Sequence, residues 1–97
     1  MSTEIVNIKY TEGGQQHGAV FRLKVIKTRG AHAYGFVTQI KHYGAFHQEY
    51  TQHGLIESLG PIRVQAKLTG KERGTTGQVL KAHLLNHLLR AGLNIVD

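Results

Sequence analysis

The chain has 97 residues, of which 12 are Lys or Arg, 6 are Asp or Glu and none is Cys. This length predicts a single domain spanning residues 1–97, and the lack of cysteine excludes disulfides, thiolate metal sites and a thiol nucleophile. The net charge of +6 and the pI of about 9.9 favour a polyanionic partner. No apolar run is long enough to span a membrane, and the first residues do not resemble a signal peptide. We therefore expect a soluble, cytoplasmic protein without a membrane partner.

Apolar residues alternate with polar ones over the first two thirds of the chain, which predicts β-strands separated by glycine-rich turns. The predicted segments are a strand at Ile5–Tyr10, a polar loop at Thr11–Gly18, a strand at Ala19–Thr28, a turn at Arg29–Ala33, strands at Tyr34–Tyr43 and Phe46–Thr51, a loop or single helical turn at His53–Gly60, and a strand at Ile62–Thr69.

The period of the apolar residues changes from 2 to 3.6 near residue 75, which predicts a helix with Thr75 or Thr76 as its N-cap. Gly92 and Leu93 have the identities expected just beyond a helix end, and the tail Asn94–Asp97 could add a short strand. The apolar face of this helix comprises Leu80, Leu84, Leu85, Leu88, Leu89 and Ala91. The predicted fold class is α+β: an antiparallel sheet of four to five strands with one C-terminal amphipathic helix packed on one face, in two layers.

The polar positions of two predicted strands carry positive charge alone. Arg22 and Lys24 alternate with apolar residues in one strand, as Arg63 and Lys67 do in the other, and no Asp or Glu interrupts either segment. If both strands share the sheet, these residues form one surface opposite the helix. An ordinary solvated face is the alternative, but such faces usually mix both signs of charge. A face of one sign predicts contacts with phosphates, and we assign Lys41 to the same set.

Aromatic residues are interleaved with these charges in the central strands. An exposed Tyr34 or Tyr43 could stack on an unpaired base, and we include Tyr43 in the predicted nucleic-acid site. The Phe residues are expected mainly in the core, because a domain with 4 Tyr and 3 Phe must use most of them to fill its interior.

The segment Gly70–Gly77, of sequence GKERGTTG, precedes the predicted helix. Its glycines and threonines, together with Lys71 and Arg73, suit phosphate binding at a helix N-terminus. The alternative is a flexible connection whose threonine caps the helix. The Walker A pattern is absent, so nothing predicts nucleotide hydrolysis.

His83, His87 and Arg90 share a polar face of the predicted helix, and we assign them to contacts with a partner. Two histidines four residues apart could bind a metal ion, but no nearby acidic residue or HExxH pattern supports a metal site, and we expect no cofactor. His42, His47 and Glu49 do not form a recognisable catalytic arrangement. We therefore expect a protein that is not an enzyme.

Two classes of function remain. The first is a small nucleic-acid-binding protein for DNA or RNA; the layout of a basic antiparallel sheet followed by one helix is similar to that of several such folds, although no motif identifies a family. The second is an inhibitor or adaptor that binds an acidic surface of a nucleic-acid-handling complex. Small chains without cysteine or catalytic motifs are typical of accessory proteins of phages and mobile elements, including inhibitors of the anti-CRISPR type. An exposed sheet edge could also pair with a partner or with a second copy in a homodimer.

Overall fold

The computed structural model describes residues 2–27, 30–44, 49–50, 55–72 and 74–96, and the side chains at 49, 50 and 55 lie outside the description. The α+β class is confirmed, with an antiparallel sheet and a C-terminal helix packed against it. The elements are β1 Ser2–Glu12, β2 Gln15–Lys27, β3 His32–Tyr43, β4 Glu49–Tyr50, α1 Leu55–Ser58, β5 Arg63–Lys67, α2 Thr76–Arg90 and β6 Asn94–Val96.

The six strands in the described part of the chain belong to one sheet, in the order β4-β3-β2-β1-β6, and β5 pairs with the first half of β3. The sequence predicted four to five strands; the additional one is β6, the short strand expected at Asn94–Asp97, which pairs with β1. The sheet is curled into a half-barrel. Helix α2 contacts β1, β2, β3 and β5. We call the side of the sheet that faces α2 the inner face and the opposite side the open face.

The predicted loop at Thr11–Gly18 is wrong. β1 continues to Glu12 and β2 begins at Gln15, so the two strands are joined by Gly13 and Gly14 alone. Both glycines have positive φ, 62° and 79°, as a two-residue type I′ hairpin turn requires. The polar residues around them suggested a loop, whereas the Gly-Gly pair was the informative signal.

Other boundaries differ from the predictions by smaller amounts. β3 begins at His32, inside the predicted turn, and β5 is shorter than predicted at both ends. α1 is the single helical turn that was an alternative for His53–Gly60. The described part of the predicted strand Phe46–Thr51 is β4, and its remaining residues lie outside the described part of the chain.

The core lies between the inner face and α2. Alternate residues of β1, β2 and β5 are buried there, as the period of two predicts. α2 supplies Leu80, Leu84 and Leu88, which are fully buried. The other buried hydrophobic residues are Val6, Ile8, Tyr10, Ala19, Phe21, Leu23, Val25, Ala33, Ile56, Ile62, Val64, Ala66 and Leu93.

Both ends of α2 are fixed by local hydrogen bonds. Thr75 is the N-cap: its hydroxyl accepts a hydrogen bond from the backbone N–H of Gln78, and the Gln78 side chain accepts one from the backbone N–H of Thr75. At the other end, Gly92 has a φ of 101°. The N–H of Gly92 donates to Leu89 O and that of Leu93 donates to Leu88 O, which forms the Schellman motif that the sequence predicts.

Candidate nucleic-acid interface

The register of the sheet brings the predicted cations to the open face. Lys24 pairs with Phe36, and Phe36 pairs on its other side with Arg63, so these residues form a row across β2, β3 and β5. Paired residues project from the same side of a sheet, and the neighbours of Lys24 along β2, Leu23 and Val25, are buried on the inner face. The same reasoning places the following cations on the open face: Lys9, Arg22, Lys24, Lys41, Arg63 and Lys67.

The open face has one sign of charge over the side chains that the structure describes. Glu4 and Glu12 of β1 alternate with open-face residues and so belong to the inner side. Glu49 pairs with Tyr43 at the edge strand β4, but its side chain lies outside the description. Among the described side chains, the open-face positions of the strands therefore carry Lys and Arg but neither Asp nor Glu.

A β-bulge in β3 determines which residues of that strand reach the open face. Arg22 pairs with Gln39, whereas Leu23 pairs with Val37, so Thr38 is the extra residue. Strict alternation from Tyr34 and Phe36 would place Lys41 and Tyr43 on the inner face. The extra residue reverses the parity and brings both onto the open face, opposite Val20 and Gly18.

Aromatic rings accompany the charges. Tyr34, Phe36 and Tyr43 are half-buried open-face residues of β3. The expectation that the Phe residues are in the core holds for the fully buried Phe21 and is wrong for Phe36; Phe46 lies outside the described residues. The reason is that Phe36 lies between Gly35 and Val37, which face inward, so its own ring faces the open side of the sheet.

The loop before α2 already holds an anion from the protein itself. Glu72 accepts hydrogen bonds from the backbone N–H of Thr69, from the Thr69 hydroxyl at 3.1 Å and from the backbone N–H of Gly70 at 2.9 Å. The hydrogen bond from the Thr69 N–H is the largest of the effects that hold the pKa of Glu72 below its ordinary value. Lys71 is exposed in this loop, and Arg73 lies outside the described residues.

A second carboxylate lies at the first turn of α2. An ideal Cβ added to Gly77 would be 2.5 Å from the Glu4 carboxylate oxygen Oε2, so Glu4 closely approaches this turn. A negative charge is favourable there because the first turn carries unpaired N–H groups and the positive end of the helix dipole. The phosphate position predicted for Gly70–Gly77 is therefore flanked by two carboxylates of the chain.

The polar face of α2 does not join the open face. His83, His87 and Arg90 are exposed, and because α2 packs on the inner face, they lie on the other side of the sheet from Arg22 and Lys24. Leu89, in the last turn, is 52% exposed, although the sequence placed it on the apolar face. The predicted site thus divides into two separate surfaces.

The structure brings together titratable residues near the β1–β2 hairpin, and the sequence did not predict this cluster. His17 pairs with Tyr10 across the strands, and their rings stack with centroids 5.5 Å apart. His42 pairs with the buried Ala19, so it lies on the inner face together with His17 and Tyr10. Burial lowers the pKa of His42, the charges of Glu57 and Glu12 oppose this shift, and His17 adds to it. The bulge at Thr38 turns His42 inward, a feature that sequence alternation does not reveal.

Within the described residues, no group of three or more His, Cys, Asp or Glu side chains could hold a metal ion. In the same part of the chain, no helix is both long and apolar enough to cross a membrane. The sequence matches no known protein family, and comparison with curated proteins and with solved structures finds no similar protein.

Proposed function

We propose that this chain is a small, basic, cytoplasmic protein that binds DNA or RNA through the open face of its sheet, without catalytic activity. In this proposal the domain works as two layers: α2 fills the inner face and forms the core, and the open face is left for the ligand. The Lys and Arg side chains of the open face contact phosphates.

The positive charge of the open face, which no described carboxylate side chain interrupts, carries the proposal. Cations from β1, β2, β3 and β5 share this surface, and the carboxylates of β1 occupy the opposite side. Ordinary solvation does not require such sorting, because a surface that mixes both signs is equally soluble. A polyanion such as nucleic acid gains from it, since each phosphate contact releases condensed counterions.

The loop before α2 has a smaller role in this proposal than the sequence suggests. The N–H groups of Thr69 and Gly70 are bonded to Glu72, so they are not the donors that a phosphate would use. Lys71 extends the positive surface through its exposed side chain, and Arg73 of the same loop remains a predicted contact.

The alternative function is an inhibitor or adaptor of the phage or mobile-element type that binds a protein or ribonucleoprotein complex. The exposed Leu89 favours it, because an apolar side chain beside His87 and Arg90 resembles the mixed composition of protein interfaces. In that case His83, His87 and Arg90 contact the partner, and the open face meets an acidic surface. The edge strands β5 and β6 would allow a homodimer or pairing with a partner's sheet.

The deciding experiment measures binding to short single- and double-stranded DNA and RNA by fluorescence anisotropy, from about 50 to 300 mM salt. The double variant Arg22→Ala/Lys24→Ala should bind more weakly. Its logarithmic salt slope should fall by about 1.8 on duplex DNA or about 1.4 on a single strand, because two phosphate contacts are lost. Its melting temperature should change little, since Arg22 is exposed and Lys24 is only half-buried.

The matched control is Lys81→Ala/Arg90→Ala, which removes the same charge from α2. This control should keep most of the affinity and the salt slope of the unmodified protein. Equal losses in the two double variants would mean that net charge alone attracts the nucleic acid, and the open-face proposal would then be wrong. Absence of binding above about 100 mM salt would favour the protein partner instead.

A further inference from the structure

Three side chains on the open face form a single contact group. Tyr34 and Phe36 are alternate residues of β3, and Arg63 lies on the adjacent β5. The guanidinium carbon of Arg63 is 5.1 Å from the centroid of the Tyr34 ring and 5.7 Å from that of the Phe36 ring. One cation therefore lies over two rings, within the distance at which cation–π attraction is effective.

A fourth residue helps to hold the cation in place. Arg63 Nη2 donates a hydrogen bond to the side-chain oxygen of Gln65 at 3.4 Å, and Gln65 is itself the β5 partner of Tyr34. Arg63 is nevertheless exposed, while the two rings are half-buried. The guanidinium thus contacts the two rings with one face and Gln65 with its edge, and its other face is accessible to a ligand.

Positive charge surrounds this group. Lys24 pairs with Phe36 from the β2 side, and Lys67 is two residues beyond Gln65 on the same face of β5. A ligand that stacks on the group must therefore combine a flat π-system with nearby negative charge. Unpaired nucleotides have both features, because each base presents its face to the solvent and each phosphate is charged. A duplex offers the phosphates but keeps its base faces covered.

We propose that Tyr34, Phe36 and Arg63 form a stacking subsite for unpaired bases, so that the protein prefers single-stranded to double-stranded nucleic acid. This inference rests on the proposed nucleic-acid function and specifies its ligand. A base would stack on the outer surface of the guanidinium, which lies over both rings. Only an unpaired base has a free face to offer to it.

The test compares the affinities for a short single strand and for its duplex at one salt concentration. Tyr34→Leu/Phe36→Leu keeps apolar bulk and removes both π-systems. We expect it to weaken single-strand binding by between about fivefold and about 150-fold for each stacked base, with duplex binding unchanged. Ile5→Ala is the control, because Ile5 is a 47% exposed apolar residue of the same face without a ring. It should leave the preference for single strands intact.

Two further variants keep the inference testable if the double variant does not fold. Arg63→Lys retains the charge but loses the planar guanidinium, so it should lower single-strand affinity without changing the salt slope. Phe36→Trp introduces a fluorophore into a chain that has no Trp, and its emission should be quenched by a single strand but not by a duplex.

The possible results separate the inference from the proposed function. Equal affinity of the unmodified protein for single strands and duplexes would overturn the stacking subsite and leave phosphate binding by the open face in place. An equal loss of affinity for single strands and for duplexes in Tyr34→Leu/Phe36→Leu would also overturn it, because the rings would then act through the structure of the sheet. Failure to bind either ligand at low salt would overturn both.

Discussion

Thr38 is the extra residue of the bulge in β3, and its hydroxyl donates a hydrogen bond to the carbonyl oxygen of Arg22 at 3.3 Å. The bond connects the bulge to the strand position at which the pairing register shifts. It thereby stabilises the reversal of parity that places Lys41 and Tyr43 on the open face and His42 on the inner face.

Thr38→Val should cost about 0.5 to 1.5 kcal/mol of unfolding free energy, the net contribution of one hydrogen bond, and should leave nucleic-acid affinity unchanged. Deletion of Thr38 should cost a comparable amount, because Val37 and Gln39 then become successive residues opposite Leu23 and Arg22, so Lys41 still faces outward and Ile40 inward. Urea unfolding of the two variants measures both effects. A deletion variant much less stable than Thr38→Val would show that Thr38 is not an extra residue in the pairing of β3 with β2.

The Glu72 carboxylate should govern the order of the loop before α2. In Glu72→Gln the backbone N–H groups of Thr69 and Gly70 lose a charged acceptor, so their amide hydrogens should exchange faster with solvent, as NMR can measure. The amide of Gln78, bonded to Thr75, is an internal control and should be unaffected. Unchanged exchange at Gly70 would mean that the carboxylate does not hold the loop in solution.

Leu84→Ala should destabilise the protein by about 2 to 5 kcal/mol, because Leu84 is fully buried between α2 and the sheet. Leu89→Ala removes the same atoms from the same helix, but from a side chain that is 52% exposed. It should change the unfolding free energy by no more than about 0.5 kcal/mol. Comparable losses in both variants would indicate that Leu89 is covered in solution, as a homodimer through α2 would require.

The unfolding free energy should decrease in mild acid because of His42. Burial lowers its pKa below the ordinary value of 6.5, so the unfolded chain binds this proton more readily than the folded one. The contribution of neutral His42 to the unfolding free energy is fully present above pH 6.5. It is lost as the pH falls through the lowered pKa of His42 in the folded state. Urea unfolding between about pH 5 and pH 8 should therefore show that His42→Gln loses less unfolding free energy in acid than the unmodified protein does. Parallel pH profiles would rule out this role for His42.

Local patterns determined much of this protein. The alternation around Arg22 and Lys24 and around Arg63 and Lys67 predicted the strands and the direction of their charges, since successive residues of a strand face opposite sides. Capping residues fixed α2 for a similar reason: Thr75, Gly92 and Leu93 act through hydrogen bonds to residues within one turn or two. The α+β class followed from the change of apolar period between the strands and the helix.

Tertiary structure decided the composition of the site. β2 and β5 flank the same strand, β3, and Arg63 lies over Tyr34 and Phe36. Both relationships depend on pairing between segments far apart in the chain. The bulge at Thr38 shifts the facing of Lys41, His42 and Tyr43 because one unpaired residue reverses every later position of the strand. The approach of Glu4 to Gly77 likewise joins β1 to α2 across the core. Such long-range relationships leave no periodic signal in the sequence, so the chemistry of each residue could be predicted, whereas its neighbours could be identified only from the folded chain.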